Sequence, residues 1–101
     1  MPAAFTSFRD FYPFYLGEHS NVVCRRLHYL GSTLALSFFV LAAVRANPYY
    51  LFGALFSGYA CAWVGHFFFE KNKPATFKNP FYSFIGDWVM YVDMLRGKIP
   101  F

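Results

Sequence analysis

Charge is scarce in this sequence: Asp, Glu, Lys and Arg make up 14% of its 101 residues, well below the roughly one quarter usual in soluble domains. With 57% hydrophobic residues, that scarcity argues against a water-facing globule and for a surface that meets lipid. Long basic runs are absent too. The net charge of +4 lies beside apolar segments and not on one polar face, which excludes a nucleic-acid groove and suits attraction to anionic headgroups. Cysteine occurs twice, at Cys24 and Cys61, and in a hairpin whose tip is Asn47 the two differ in depth by ~13 Å, too far for a disulfide. There is no basic start followed by an apolar run at the N-terminus, because Arg9, Asp10 and Pro13 interrupt it, so this segment is expected to stay in the mature protein. Internal repeats, low-complexity tracts and linkers are also missing, and residues 1–101 read as a single helical domain.

What is present is aromatic and apolar. Residues 27–44 carry no charge and reach ~27 Å as a helix, Asn47 and Pro48 mark a tight turn, and residues 49–69 form a second uncharged stretch. The expectation is an all-α membrane protein built on a transmembrane hairpin. Arg25 and Arg26 precede the first stretch and Lys71, Lys73 and Lys78 follow the second, while Arg45 alone lies at the turn, which places both termini in the cytoplasm and, in a bacterium, the protein in the inner membrane. Before the hairpin, Phe5, Phe8, Tyr12 and Tyr15 recur at helical steps behind a Ser7–Asp10 capping signal, fitting an N-terminal interfacial helix or a packed aromatic lid. After it, Asn79 and Pro80 start a helix over 80–96 with an apolar stripe of Phe81, Phe84, Ile85, Trp88, Val92 and Leu95. Asp87 and Asp93 within it favour an amphipathic or re-entrant helix, with a third span as the alternative.

Histidine is rare as well, and its placement is informative. His28 stands nineteen residues before Asn47 and His66 nineteen after it, so both lie at one depth of the hairpin, ~28 Å from its tip. A turn near Ser20 or Asn21 would fold His19 over the other two. Small residues at four-residue steps (Ala54, Gly58, Ala62) lead to His66 and Glu70, while Gly31, Ser32, Ala35 and Ala42 share the side of His28, so close packing aims both imidazoles into the seam. Such a set of imidazoles with a carboxylate and open positions suits mononuclear non-haem iron, with zinc equally compatible with the spacing; three histidines are too few for a histidine-rich di-iron centre. Glu70 and Asp87 are the available carboxylates, each also readable as an ordinary ion-paired or capping group. Arg25, Arg26 and Lys73 at the cytoplasmic mouth are candidates to hold a substrate carboxylate, or simply to set topology, and Tyr29, Tyr59 and Trp63 are candidates to line an apolar path.

The segments YLGEHSNVVCRRLHYLG (15–31) and GYACAWVGHFFFEKNKPATFKNP (58–80), together with the tail SFIGDWVMYVDMLRGK, resemble the signature blocks of the Mpo-type membrane dioxygenases. The resemblance implies Fe(II)-dependent α-oxidation, in which a 2-hydroxy fatty acid and dioxygen give a fatty acid one carbon shorter. It also implies that His19, His28 and His66 are the catalytic metal ligands and that Glu70, Asn72, Pro74 and Thr76 form the family's polar block, with Asn72 and Thr76 near substrate. Cys24 and Arg25 stand where that family often has small polar or Asn residues. A homodimer is compatible with so short a chain. The competing class is a non-enzymatic membrane protein, either binding haem between two histidines or serving as a scaffold.

Overall fold

A computed structural model describes residues 5–101, which form helices and, among the described residues, no strand. Helix α1 spans Phe8–Gly17, α2 Val22–Val44, α3 Tyr50–Val64 and α4 Pro80–Leu95. Between α3 and α4 the chain runs through a π-helical segment, Gly65–Glu70, and a single 3₁₀ turn, Ala75–Phe77.

Helix α1 starts where the capping signal lies: the Ser7 hydroxyl accepts the Asp10 N–H at 3.2 Å. Pro13 sits inside this short helix and removes one of its backbone hydrogen bonds, so packing must hold the segment together. Phe11 and Tyr15 supply that packing, buried against Met90 and Met94 of α4 with Phe8, Tyr12 and Tyr82 around them. Phe11 was not part of the expected periodic set.

Helix α2 begins five residues before the apolar run that announced it. The Asn21 side chain accepts the N–H groups of Val23 (2.9 Å) and Cys24 (3.2 Å), so the helix is capped there and Arg25 and Arg26 lie inside it. At the far end Ala46 takes a left-handed conformation (φ 51°) and the Asn47 side chain accepts the Tyr49 N–H at 3.0 Å, reversing the chain into α3. The two helices approach to backbone contact at two levels. A Cβ on Gly31 would lie 3.0 Å from that of Cys61, and one on Gly65 only 3.1 Å from Cys24 Cα. Both cysteines are free thiols.

Helix α4 occupies the expected segment, and its apolar stripe faces outward. Ser83, Gly86, Met90, Tyr91 and Met94 are buried, whereas Phe81, Phe84, Val92 and Leu95 of the apolar stripe are exposed. Close approach and hydrogen bonding decide the inner face. Gly86 lets the Tyr15 ring come within 3.0 Å of where a Cβ would be, and the Tyr91 hydroxyl meets Thr33 Oγ1 of α2 at 3.0 Å. Tyr12 donates to Asp93 at 2.8 Å and Tyr15 donates to Asp87, so both acids of α4 are spent on α1.

Two helical stretches, Val22–Val44 and the continuous Tyr50–Glu70, are long and apolar enough to cross a membrane. Only 17% of the most apolar window of each is buried, unlike the core helix of a soluble protein.

Candidate metal centre

Each histidine reaches the centre by a different local device. His19 follows the last turn of α1, where its ring stacks on Tyr15 with centroids 4.0 Å apart and its Nδ1 lies 2.7 Å from the Tyr15 carbonyl. His28 stands in the second turn of α2 with Nδ1 2.9 Å from the Cys24 carbonyl. His66 is the second residue of the π-helical segment, a wide turn of a kind frequent at functional sites. Lys71 then adopts a left-handed conformation (φ 61°) and sends the chain back, so that Asn72 Oδ1 comes to 2.7 Å from His66 Nδ1. The Asn72 amide orientation is fixed by its NH₂ group, which donates to the Glu18 carbonyl at 3.1 Å and carboxylate at 3.2 Å.

These partners set the tautomers. Two Nδ1 atoms face main-chain carbonyls and the third faces an amide oxygen, none of which can donate, so each Nδ1 carries the proton and donates it. The single proton of each neutral ring is thereby used, and all three Nε2 atoms present bare lone pairs. They present them to one another: Nε2 of His19 is 3.1 Å from that of His28 and 2.9 Å from that of His66. The rings meet edge to face at 77–90° and are 1%, 7% and 2% exposed, so no solvent separates them. An extra proton on His19, the ring shared by both short contacts, would relieve the repulsion. Burial, and next the adjacent His28, hold its pKa well below the ordinary histidine value despite the opposing Tyr15 bond, so that proton is disfavoured. A cation bound by all three Nε2 atoms satisfies the arrangement instead. Bonds of ~2.1 Å meeting near right angles separate nitrogen ligands by ~3 Å, which is the spacing of His19 from each of the other two, and all three ligand atoms lie within 4.8 Å of one another. The three histidines could therefore hold a metal ion.

The expected carboxylates do not join the rings. Glu70 accepts from the Ser20 hydroxyl and the Asn21 N–H, both at 2.7 Å, which ties the end of the π segment to the start of α2 and fixes the turn carrying His19. Asp87 is held by Tyr15; burial pushes its carboxyl up to about 6, with the tyrosine bond acting in the other direction. Arg25 donates to the carbonyls of His19 (3.3 Å) and Ser20 (3.0 Å), and Arg26 donates to Phe101 O (2.9 Å) and lies over its ring. Tyr29 packs on Tyr91 and Phe101. These three residues thus gather around the C-terminal tail and do not line the cavity beside the histidines. Lys73 borders a shallow groove with Phe67, Phe68, Lys71 and Asn72.

That cavity, of about 110 Å³, follows the hairpin seam. His28, Ser32, Ala35 and Phe39 form one wall, and Ala54, Gly58, Ala62 and His66, with Tyr59 and Trp63, form the other. From His28 to Phe39 is eleven residues, or ~17 Å of helix. Pro74, Thr76, Ser83, Asp87 and Trp88 close the histidine end, so the polar lining is concentrated there and the far end is apolar. Tyr15 and Ser83 were absent from the sequence-based site, although the four-residue step from Tyr15 to His19 is visible in the sequence.

Fold and site together define an all-helical protein with a buried trihistidine cluster, fit for a metal, at the polar end of an apolar cavity. The chain belongs to the Mpo1-like family, whose model, described as 2-hydroxy-palmitic acid dioxygenase Mpo1-like, matches residues 5–99. No curated protein and no solved structure matches it.

Proposed function

We propose that this protein is an integral membrane dioxygenase that uses Fe(II), held by His19, His28 and His66, to convert 2-hydroxy fatty acids to fatty acids one carbon shorter. The observation that carries this reading is the convergence of three bare, buried Nε2 lone pairs at the mouth of an apolar cavity. The reaction balances without an outside reductant: R–CHOH–COOH and O₂ give R–COOH, CO₂ and H₂O, the four electrons lost by carbon matching the four gained by dioxygen. The ion supplies activation of dioxygen beside the polar end of the substrate.

The chain supplies the rest. Ala35, Phe39, Ala54 and Leu55 give the alkyl tail an apolar berth, while Trp63 and Thr76 flank its polar end. Tyr15 and Asn72 lock the tautomers of two ligands, and the close-packed seam keeps bulk water from the reacting carbons. Exposed Val40, Val44, Phe52, Leu55 and Phe56 on the hairpin, with Phe81, Phe84 and Leu95 on α4, form an apolar exterior suited to acyl chains. With the charge asymmetry of the sequence, this supports a hairpin tip on the far side and both termini in the cytoplasm. Lys71 and Lys73 lie at the cytoplasmic end, where they meet anionic headgroups or an arriving carboxylate.

The haem alternative has no support in the geometry. His19 Nε2 stands 3.1 and 2.9 Å from those of His28 and His66, so its ring fills the space a porphyrin plane would need. The test is elemental analysis of anaerobically purified protein, followed by mass spectrometry of products from a 2-hydroxy acid. About one non-haem iron per chain and a product shortened by one carbon are expected. Full iron retention by His66→Ala, with the hairpin still inserted, would remove the proposed centre.

A further inference from the structure

Ser83 lies on the inner face of α4, 1% exposed, and contributes to the cavity wall. Its Oγ is buried and has no hydrogen-bond partner among the described residues. A helical serine or threonine commonly resolves that difficulty by bonding the carbonyl four residues back. Two others in this protein do so: Thr33 Oγ1 donates to Tyr29 O and Ser37 Oγ to Thr33 O, each at 2.9 Å. Ser83 does not, and the carbonyl it would use, on Asn79, accepts only its N–H. A buried hydroxyl left open in this way forfeits a hydrogen bond unless something entering the cavity completes it.

The chemistry of the neighbours narrows what that something is. Asp87 stands one turn further along the same face and lines the same wall, with Oδ1 occupied by the Tyr15 hydroxyl. A carboxylate presented to Asp87 would meet like charge, whereas a neutral hydroxyl meets acceptors on Asp87 and a group on Ser83 able to donate or accept. Beyond these residues the cavity is apolar as far as Phe39 and Leu55. The wall therefore reads an alkyl chain bearing a hydroxyl near its polar end.

We propose that Ser83 is the residue that recognises the 2-hydroxyl group of the substrate, and so sets the preference for 2-hydroxy over unsubstituted fatty acids. The inference rests on the 2-hydroxy fatty acid reading above and adds a specificity residue to it.

Trp63 and Trp88, the only tryptophans in the chain, both line the cavity and give a binding signal independent of turnover. Anaerobic, metal-loaded wild type, Ser83→Ala and Ser83→Thr are titrated with 2-hydroxyhexadecanoate and with hexadecanoate, following fluorescence. Wild type is expected to prefer the hydroxylated acid by ~10-fold, the scale of one hydrogen bond. Ser83→Ala should bind hexadecanoate as wild type does but lose the preference to within ~2-fold, with metal content unchanged; Ser83→Thr, which keeps a hydroxyl, should recover part of it. A full preference in Ser83→Ala overturns the proposal, as does loss of metal from that variant, which would make Ser83 a structural contact. If wild type converts the 2-hydroxy acid while Ser83→Ala discriminates normally, this inference alone falls. If wild type binds neither acid, the substrate reading falls with it.

Discussion

Replacing Asn72 with Ala removes one hydrogen bond from the ring of His66 and leaves all three candidate ligands in place. In the native protein the 2.7 Å bond from His66 Nδ1–H to Asn72 Oδ1 keeps the proton on the far side of the ring, so Nε2 is free to bind a cation. Without the acceptor the proton is free to move to Nε2, against the lone pairs of His19, and the ring loses its fixed orientation. Loss of such an orienting partner lowers metal affinity ~10–100-fold, or about 1.4–2.7 kcal/mol. The lower figure applies if a water fills the space. The variant also forfeits the Asn72 bonds to Glu18, so Glu18→Gln, which keeps an acceptor for the Asn72 amide and leaves the His66 contact intact, is the control. Iron or zinc affinity would be measured in detergent against a competing chromophoric chelator, with oxygen excluded. Wild-type affinity in Asn72→Ala, within about twofold, would refute the argument that tautomer locking prepares this site.

Helix contact at the histidine level predicts an asymmetry between two glycines: Gly65→Ala, which forces a Cβ to 3.1 Å from Cys24, should destabilise the protein in detergent by ~1–3 kcal/mol and weaken metal binding. Gly58→Ala, whose Cβ meets nothing within 4 Å, should stay within ~0.5 kcal/mol of wild type. Ala54→Leu fills the apolar end of the cavity; at ~0.8 kcal/mol per methylene, lost room for two carbons should cut kcat/KM for a long acid ~15-fold relative to one two carbons shorter. No change in chain-length preference would place the alkyl tail elsewhere. For Asp87, a folded-state pKa of about 6 above an unfolded value of 3.8 means the native state holds the extra proton between those values, so its contribution to stability falls as pH rises from about 4 to 6. His19, with its depressed pKa, works in the opposite sense below the ordinary histidine value. Asp87→Asn isolates the acid: relative to wild type it should gain at most about 3 kcal/mol at pH 7.5 and nothing near pH 4, read from unfolding curves at both pH values. A gain independent of pH would show that Asp87 does not titrate in the folded state.

The pairing of His28 with His66 was legible because an antiparallel hairpin turns equal counts on either side of Asn47 into equal depth, and His19 because a turn at Ser20 or Asn21 brings it to the same end. Other features were not. Arg25 and Arg26 looked like the boundary of α2, yet Asn21 caps the helix six residues before Leu27 and the arginines reach the C-terminal tail. The Phe-rich stripe of α4 was legible as an apolar face, but which residues of α4 pack inward was not. In a protein proposed to sit in lipid, apolarity marks the exterior, and the inner face is chosen by close contact and hydrogen bonds, here through Ser83, Gly86 and Tyr91. The π turn left no periodic signature, so the return of Asn72 to His66 was hidden, and so was the diversion of Glu70 to cap Asn21.

Helix α1, which delivers His19, packs chiefly on the last helix and not on the hairpin. Two of the imidazoles are paired as soon as the hairpin folds, whereas the third draws both on the Glu70 and Asn72 contacts at the hairpin end and on a helix some sixty residues further along the chain. A metal held by all three histidines would then act as a clasp between early-made and late-made portions of the polypeptide. A chain lacking residues beyond Asn79 would keep the seam but lose the Met90 and Met94 packing under α1.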